Sequence, residues 1–151
     1  MVTTKKVIKK DPKNTNYTYA VGRRKTANAR VRIYKTPSVP GMDKVQLSVN
    51  GKNAEAYFPG ETAKASYRKP FVVTGILTKM SASVVVEGSG KMGQLDATVH
   101  GIARALAVLD RDAYRSLLKS AGLLTRDARK RQRRMVGTGG KARAGKQSPK
   151  R

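Results

Sequence analysis

The amino-acid sequence predicts an α+β domain followed by a long basic C-terminal tail, and three patterns predict it. Ala29, Val31 and Ile33 alternate with Arg30, Arg32 and Tyr34, the period of two expected of a half-buried antiparallel strand. Leu95, Val99, Ile102, Leu106 and Leu109 recur at spacings of four, three, four and three, which is one apolar stripe along a helix. Beyond Thr125 neither period survives. Residues Thr125 to Arg151 hold eleven Lys or Arg, one acid (Asp127), and only two adjacent sizeable apolar residues, Met135 and Val136.

Such a tail buries too little apolar surface to offset the entropy of ordering itself. It is expected to be a solvated arm when free and extended when bound to something strongly negative. Blocks of basic charge are often arms for nucleic acid. Gly137, Gly139, Gly140 and Gly145 keep its backbone thin, and Pro149 discourages a late helix.

Charge points the same way for the whole chain. It carries 33 Lys and Arg against nine acids, a formal charge of +24 over 151 residues. Self-repulsion on that scale favours a polyanionic partner. A membrane is the weakest candidate, because no apolar run approaches the roughly 20 residues of a spanning helix. The absence of cysteine excludes disulfides and thiolate metal sites, and one histidine among scattered acids makes a metal cluster unexpected. No cofactor and no small-molecule substrate is expected. Residues 1–16 read as a flexible basic leader without the apolar centre of a secretory signal. Residues 17–124 read as the globular domain and 125–151 as the tail, in a soluble cytoplasmic protein.

Taken in order, Tyr17–Val21 is expected as a strand, and Gly22-Arg23-Arg24-Lys25-Thr26 as a loop gripping phosphate oxygens. Ala29–Tyr34 forms the next strand, with Arg30 and Arg32 on an outer face that is either solvated or RNA-facing. Val45, Leu47 and Val49 alternate up to Asn50-Gly51, a tight-turn signal because both residues tolerate positive φ. Short helices are expected over Asn53–Phe58 and Glu61–Tyr67, the latter ending before Pro70. Phe71–Leu77 is strand or loop. Ser83–Glu87 is a strand expected to be covered on both faces at its centre. The helix carrying the stripe follows, then another from about Asp112 to Ser120, capped by an acid, stopped at Gly122 and burying Tyr114, Leu117 and Leu118. Leu123 and Leu124 anchor the tail, and Thr125 caps a short turn.

Gly88-Ser89-Gly90-Lys91-Met92-Gly93 formally matches the dinucleotide fingerprint G-x-G-x-x-G. That reading fails, because no further parallel strand follows to end in the acid that holds a ribose. Asp110 and Asp112 stand where a helix begins. The loop keeps bare amides at a helix N-terminus, where Gly90 and Gly93 suit an RNA phosphate. His100 has no paired nucleophile, so packing or RNA contact is its expected role.

Several stretches together resemble one family, the ninth protein of the small ribosomal subunit, bacterial type. They are Val21–Thr26 with Ala29–Arg32, Val49–Lys52 with Tyr57-Phe58, Gly93-Gln94, the run HGIARAL at His100–Leu106, Leu118–Gly122, the run LTRDAR at Leu124–Arg129, and the terminal Lys150-Arg151. Ser89, Val99 and Ser148-Pro149 depart from the family pattern. The resemblance implies a four-stranded sheet with helices packed on one face and a left-handed β-α-β crossover. It implies a place in the subunit head on the 3′ domain of the small-subunit rRNA, beside neighbouring head proteins. The tail would reach tRNA in the peptidyl site.

Residues and resemblance together yield the expected contacts. On the domain, Arg23, Arg24, Lys25, Arg30, Arg32 and Arg104 meet rRNA phosphates, with Gly90, Gly93, Gln94 and His100 beside them. Along the tail, Arg126, Arg129, Arg131, Arg133, Arg134, Lys141 and Arg143 bind rRNA, while Lys150 and Arg151 touch tRNA. No catalytic residue is expected. The rivals are a DNA-compacting protein, which shares the charge but lacks a recognisable DNA-binding motif, and a nucleotide-dependent enzyme, suggested only by the glycine loop.

Overall fold

A computed structural model describes residues 17–41, 46–77, 79–137 and 140. The leader, Val45, Lys141, Arg143, Lys150 and Arg151 lie outside the described residues.

Strands β1 (Tyr17–Arg24) and β2 (Ala27–Tyr34) form an antiparallel hairpin that pairs Tyr17 with Tyr34 and Arg24 with Ala27. The expected five-residue loop is therefore a two-residue turn. Gly22, Arg23 and Arg24 belong to β1, and Lys25 at the tip adopts φ 51°. β3 (Leu47–Val49) turns at Asn50-Gly51, with φ 49° and 75°, into the two-residue β4 (Lys52–Asn53). Then come the helices α1 (Ala54–Tyr57) and α2 (Glu61–Val73), strand β5 (Ser81–Glu87), and the helices α3 (Lys91–Leu109) and α4 (Arg111–Ser120).

The sheet order is β1-β2-β5-β3-β4. β5 runs antiparallel to β2 and parallel to β3, so β4, α1 and α2 make the β-α-β connection between β3 and β5. The fold is α+β as expected. β4 adds a fifth, two-residue strand to the four anticipated.

Side-chain alternation decides which face is covered. Ala29, Val31 and Ile33 of β2 and Val84 and Val86 of β5 are buried under α3, which packs on β1, β2 and β5. Val85 is 53% exposed, so β5 is covered on one face only. The expectation of two-sided cover fails because the helices gather on a single side of the sheet.

The stripe of α3 is buried at Leu95, Ile102 and Leu106, but Val99 and Leu109 are only partly so. Small residues do the rest: Ala97, Gly101 and Ala105 are buried too. At Gly22 the helix and β1 touch backbone to backbone. A Cβ there would overlap the Ala97 carbonyl oxygen and stand 2.7 Å from Gly101 Cα. Close approach requires glycine at this crossing.

Two further helix boundaries moved. α2 continues through Pro70 to Val73. Proline there removes one helical hydrogen bond, but Tyr67, Pro70 and Phe71 are buried against the core, and packing outweighs the loss. Phe71–Leu77 is thus a helix end and turn rather than a strand. The cap of α4 is Asp110, whose Oδ1 accepts the Ala113 N–H at 3.1 Å, so the helix begins before Asp112. On α4, Leu118 is buried and Tyr114 partly so, whereas Leu117 is 45% exposed. Among the described residues after Thr125, residues 126–135 run without regular structure.

Candidate nucleic-acid interface

The C-terminal end of β1 brings together three separate stretches of sequence. The Lys25-Thr26 turn abuts the glycine loop: a Cβ on Gly88, where φ is 78°, would overlap the Thr26 carbonyl oxygen. Gly90 opens α3 without a side-chain cap, and the space above it is empty. The start of the tail passes alongside.

Arg24 binds these parts to one another. Its Nε lies 3.4 Å from Asp96 Oδ2 on α3, its NH2 group 2.9 Å from Asp127 Oδ2, and its NH1 donates to the Arg129 carbonyl at 2.9 Å. The side chain is only 14% exposed. Asp127 also accepts from Arg129, whose guanidinium stands 2.7 Å away. These hydrogen bonds, and the charge of Arg24 after them, hold the Asp127 carboxyl well below the usual carboxylate range.

His100 makes a second tie. Its Nδ1 accepts the Arg23 N–H at 3.4 Å. Burial pushes its pKa below 6.5, the charges of Arg104 and Arg126 push the same way, and the Leu124 backbone at the ring acts against the lowering. The ring is therefore neutral at pH 7 and braces β1 against the tail root. Arg104 is exposed and donates to the Val21 carbonyl. Between these ties lies a cleft of about 320 Å³, whose lining includes Arg23, Lys69, His100 and Thr125.

The site residues expected from the sequence thus divide by their surroundings. Arg23, Lys25, Gly90, Arg126, Arg131, Arg133 and Arg134 are exposed around this end or along the tail. Arg24, Arg129, His100 and Arg104 hold the protein's own parts in place. Gly93 is buried under Ser89, whose Oγ would overlap any Cβ there. Gln94 bridges inside the molecule, donating to the Gly88 carbonyl at 3.1 Å and accepting from the Tyr57 hydroxyl at 2.9 Å. Arg30 and Arg32 lie on the opposite face of the sheet. There Arg30 pairs with Glu87 at 2.9 Å, and the Arg32 guanidinium sits 5.1 Å above the Tyr17 ring.

The sequence reading missed Asn50 as more than a turn residue. Its side chain accepts from the Val86 N–H at 2.8 Å and donates to the Val86 carbonyl at 2.9 Å, continuing the β3–β5 ladder past the end of β3. It missed Lys91 as well, whose Nζ lies 3.5 Å from the centre of the Tyr57 ring. A polar residue at a tight turn signals only the turn; its distant partner has no local signature.

Comparison with known proteins agrees with the motifs. The family model described as ribosomal protein S9/S16 matches residues 22–151. The small ribosomal subunit protein uS9 of Desulfovibrio desulfuricans is 44% identical over 121 residues, covering 80% of this chain and 87% of that protein. That of Maridesulfovibrio salexigens is 44% identical over 125 residues, 83% of this chain and 90% of the relative. That of Bifidobacterium animalis subsp. lactis is also 44% identical, over 119 residues, 79% of this chain and 69% of its own length. With the charged end of β1, the α3 motif and the tail root all inside the matched region, the chain belongs to the ribosomal protein S9/S16 family.

Proposed function

We propose that this structural, non-enzymatic constituent of the small ribosomal subunit, located in the cytoplasm with the ribosome, binds folded rRNA through the C-terminal end of β1. From there it would send its basic tail to the tRNA in the peptidyl site. The supporting observation is the convergence at that end of the Lys25 turn, the uncapped start of α3 at Gly90 and the pinned root of the tail. Lys and Arg side chains there neutralise phosphates, and recognition follows RNA shape rather than base sequence. The division into a globular part over 17–124 and an arm over 125–151 belongs to the same reading, as does the location on the 3′ domain of the head.

Lys150 and Arg151 are the residues assigned to tRNA. An extended chain advances at most about 3.3–3.6 Å per residue, so from Thr125 the tip can act many tens of ångströms from the domain. Charge that far out does little for the fold, but it can touch a second ligand. A chain ending at Pro149 tests this. It is expected to assemble into subunits normally, with faster loss of tRNA from the peptidyl site and weaker reading-frame maintenance. Unchanged tRNA dissociation with impaired assembly would make the tip an rRNA clamp instead.

A further inference from the structure

Among the described residues, no helix covers the face of the sheet turned away from α3. Residues directly opposite in neighbouring strands share a face, so the register sets Tyr19 beside Arg32 and Ser83, and Val21 beside Arg30 and Val85. At one end the Tyr17 and Tyr34 rings meet edge to face, with centroids 5.9 Å apart. Tyr17, Tyr19, Arg30, Arg32, Ser83 and Val85 line an open groove of about 450 Å³. Tyr19 and Val85 are 48% and 53% exposed, the largest apolar exposures among the described strand residues.

The chemistry of this groove fits one kind of occupant. Arg30 and Arg32 supply two positive charges against one acid, Glu87. The Arg30–Glu87 pair has both side chains more than half exposed, so it holds little energy and yields readily to a stronger anion. A protein partner covering the groove would have to desolvate both guanidinium groups, whereas a phosphodiester backbone brings their counter-charge with it. An exposed tyrosine ring between cations stacks on a nucleobase whatever its identity. Bases inside a duplex are already stacked, so the match is to unpaired nucleotides.

We infer that the open face of the β1-β2-β5 sheet is a second RNA-binding site. In it Tyr19 stacks on an unpaired base, Arg30 and Arg32 take the flanking phosphates, and Val85 forms the apolar floor. The site is separate from the end of β1, so one domain bridges two RNA segments. It stands independently of the tRNA assignment, which concerns Lys150 and Arg151 alone.

The test titrates the full chain with single-stranded hexa-adenylate and with an RNA duplex of equal length. NMR follows the Tyr19 ring protons and the Val85 methyl groups. The single strand is expected to move both, with the ring protons shifting upfield, and the duplex to move neither. Tyr19→Leu is expected to shift the Val85 midpoint to roughly five- to hundredfold higher RNA concentration, and Tyr19→Phe to restore it. Arg30→Gln with Arg32→Gln is expected to make the log–log salt slope of that midpoint shallower by about 1.4. Equal shifts with the duplex, or an unmoved midpoint for Tyr19→Leu, would overturn the inference. So would a photocrosslinker at position 19 that captures protein rather than rRNA in assembled subunits.

Discussion

The guanidinium of Arg24 lies 2.9 Å from Asp127 Oδ2, an ion pair between the last residue of β1 and the one acid of the 27-residue tail. The acid that interrupts a block of like charge is thus the one that ties the block to the domain. Its partner is largely buried and shared with Asp96, so the pair has a defined geometry that loose surface pairs lack.

Asp127→Asn is expected to release the tail root without unfolding the domain. Amide-exchange protection at Arg129, whose N–H donates to Asp127 Oδ1 at 3.0 Å, should be lost. The melting temperature should barely move, because Leu106 and Leu118 keep their packing. A large fall in melting temperature would instead make the pair part of the core. In the unsubstituted chain the depressed Asp127 pKa means that the tie is present above the ordinary carboxylate range and lost only as pH falls below it. Chemical shifts around Arg129 should therefore stay constant down to about pH 4.5.

His100 carries a sensitivity of the same sign at milder pH. Its native pKa is lowered from 6.5, first by burial and then by Arg104. The unfolded chain therefore takes up the proton before the native one does. This contribution to stability is fully present above about pH 6.5 and lost as pH falls through the native value. Melting temperatures recorded from about pH 7.5 down to about pH 5.5 should decline, and His100→Gln should flatten that decline. An equal slope in the variant would assign the effect to other groups.

Packing makes two predictions of different origin. Leu106 is fully buried, and Leu106→Ala is expected to cost about 2–5 kcal/mol through lost transfer energy and a residual cavity. Gly22→Ala adds one methyl group where the Ala97 carbonyl and Gly101 leave no room, and is expected to cost about 1–3 kcal/mol or more by overpacking. Both are read from denaturant midpoints. A neutral Gly22→Ala would show that α3 can back away from β1.

Phosphate binding separates the neighbouring arginines. Arg23 and Lys25 are exposed at the end of β1, so alanine at either should make the salt slope of rRNA binding shallower by about 0.7. Arg24→Ala should leave the slope nearly unchanged, because its guanidinium faces Asp96 and Asp127. An Arg24→Ala slope that fell as far as that of Arg23→Ala would place a phosphate on Arg24.

Local pattern determined much of this protein from sequence alone. Alternation at Ala29–Tyr34, the Asn50-Gly51 turn, the existence of α3 and the charge block of the tail depend on residues close together in the chain, and all are legible there. The family motifs HGIARAL and LTRDAR then carried the identification. What needed tertiary structure were the outcomes set by partners far apart in sequence. Helix α2 passes through Pro70 because Tyr67 and Phe71 are buried alongside it, a gain no propensity scale contains. Val85 lies open because the described helices pack on the other face. Arg23 and Arg24, identical and adjacent, point to opposite sides of β1: strand alternation sends one toward solvent and the other toward Asp96 and Asp127, 72 and 103 residues away. Sequence fixes the charge of each; only the fold decides which is already neutralised by the protein itself.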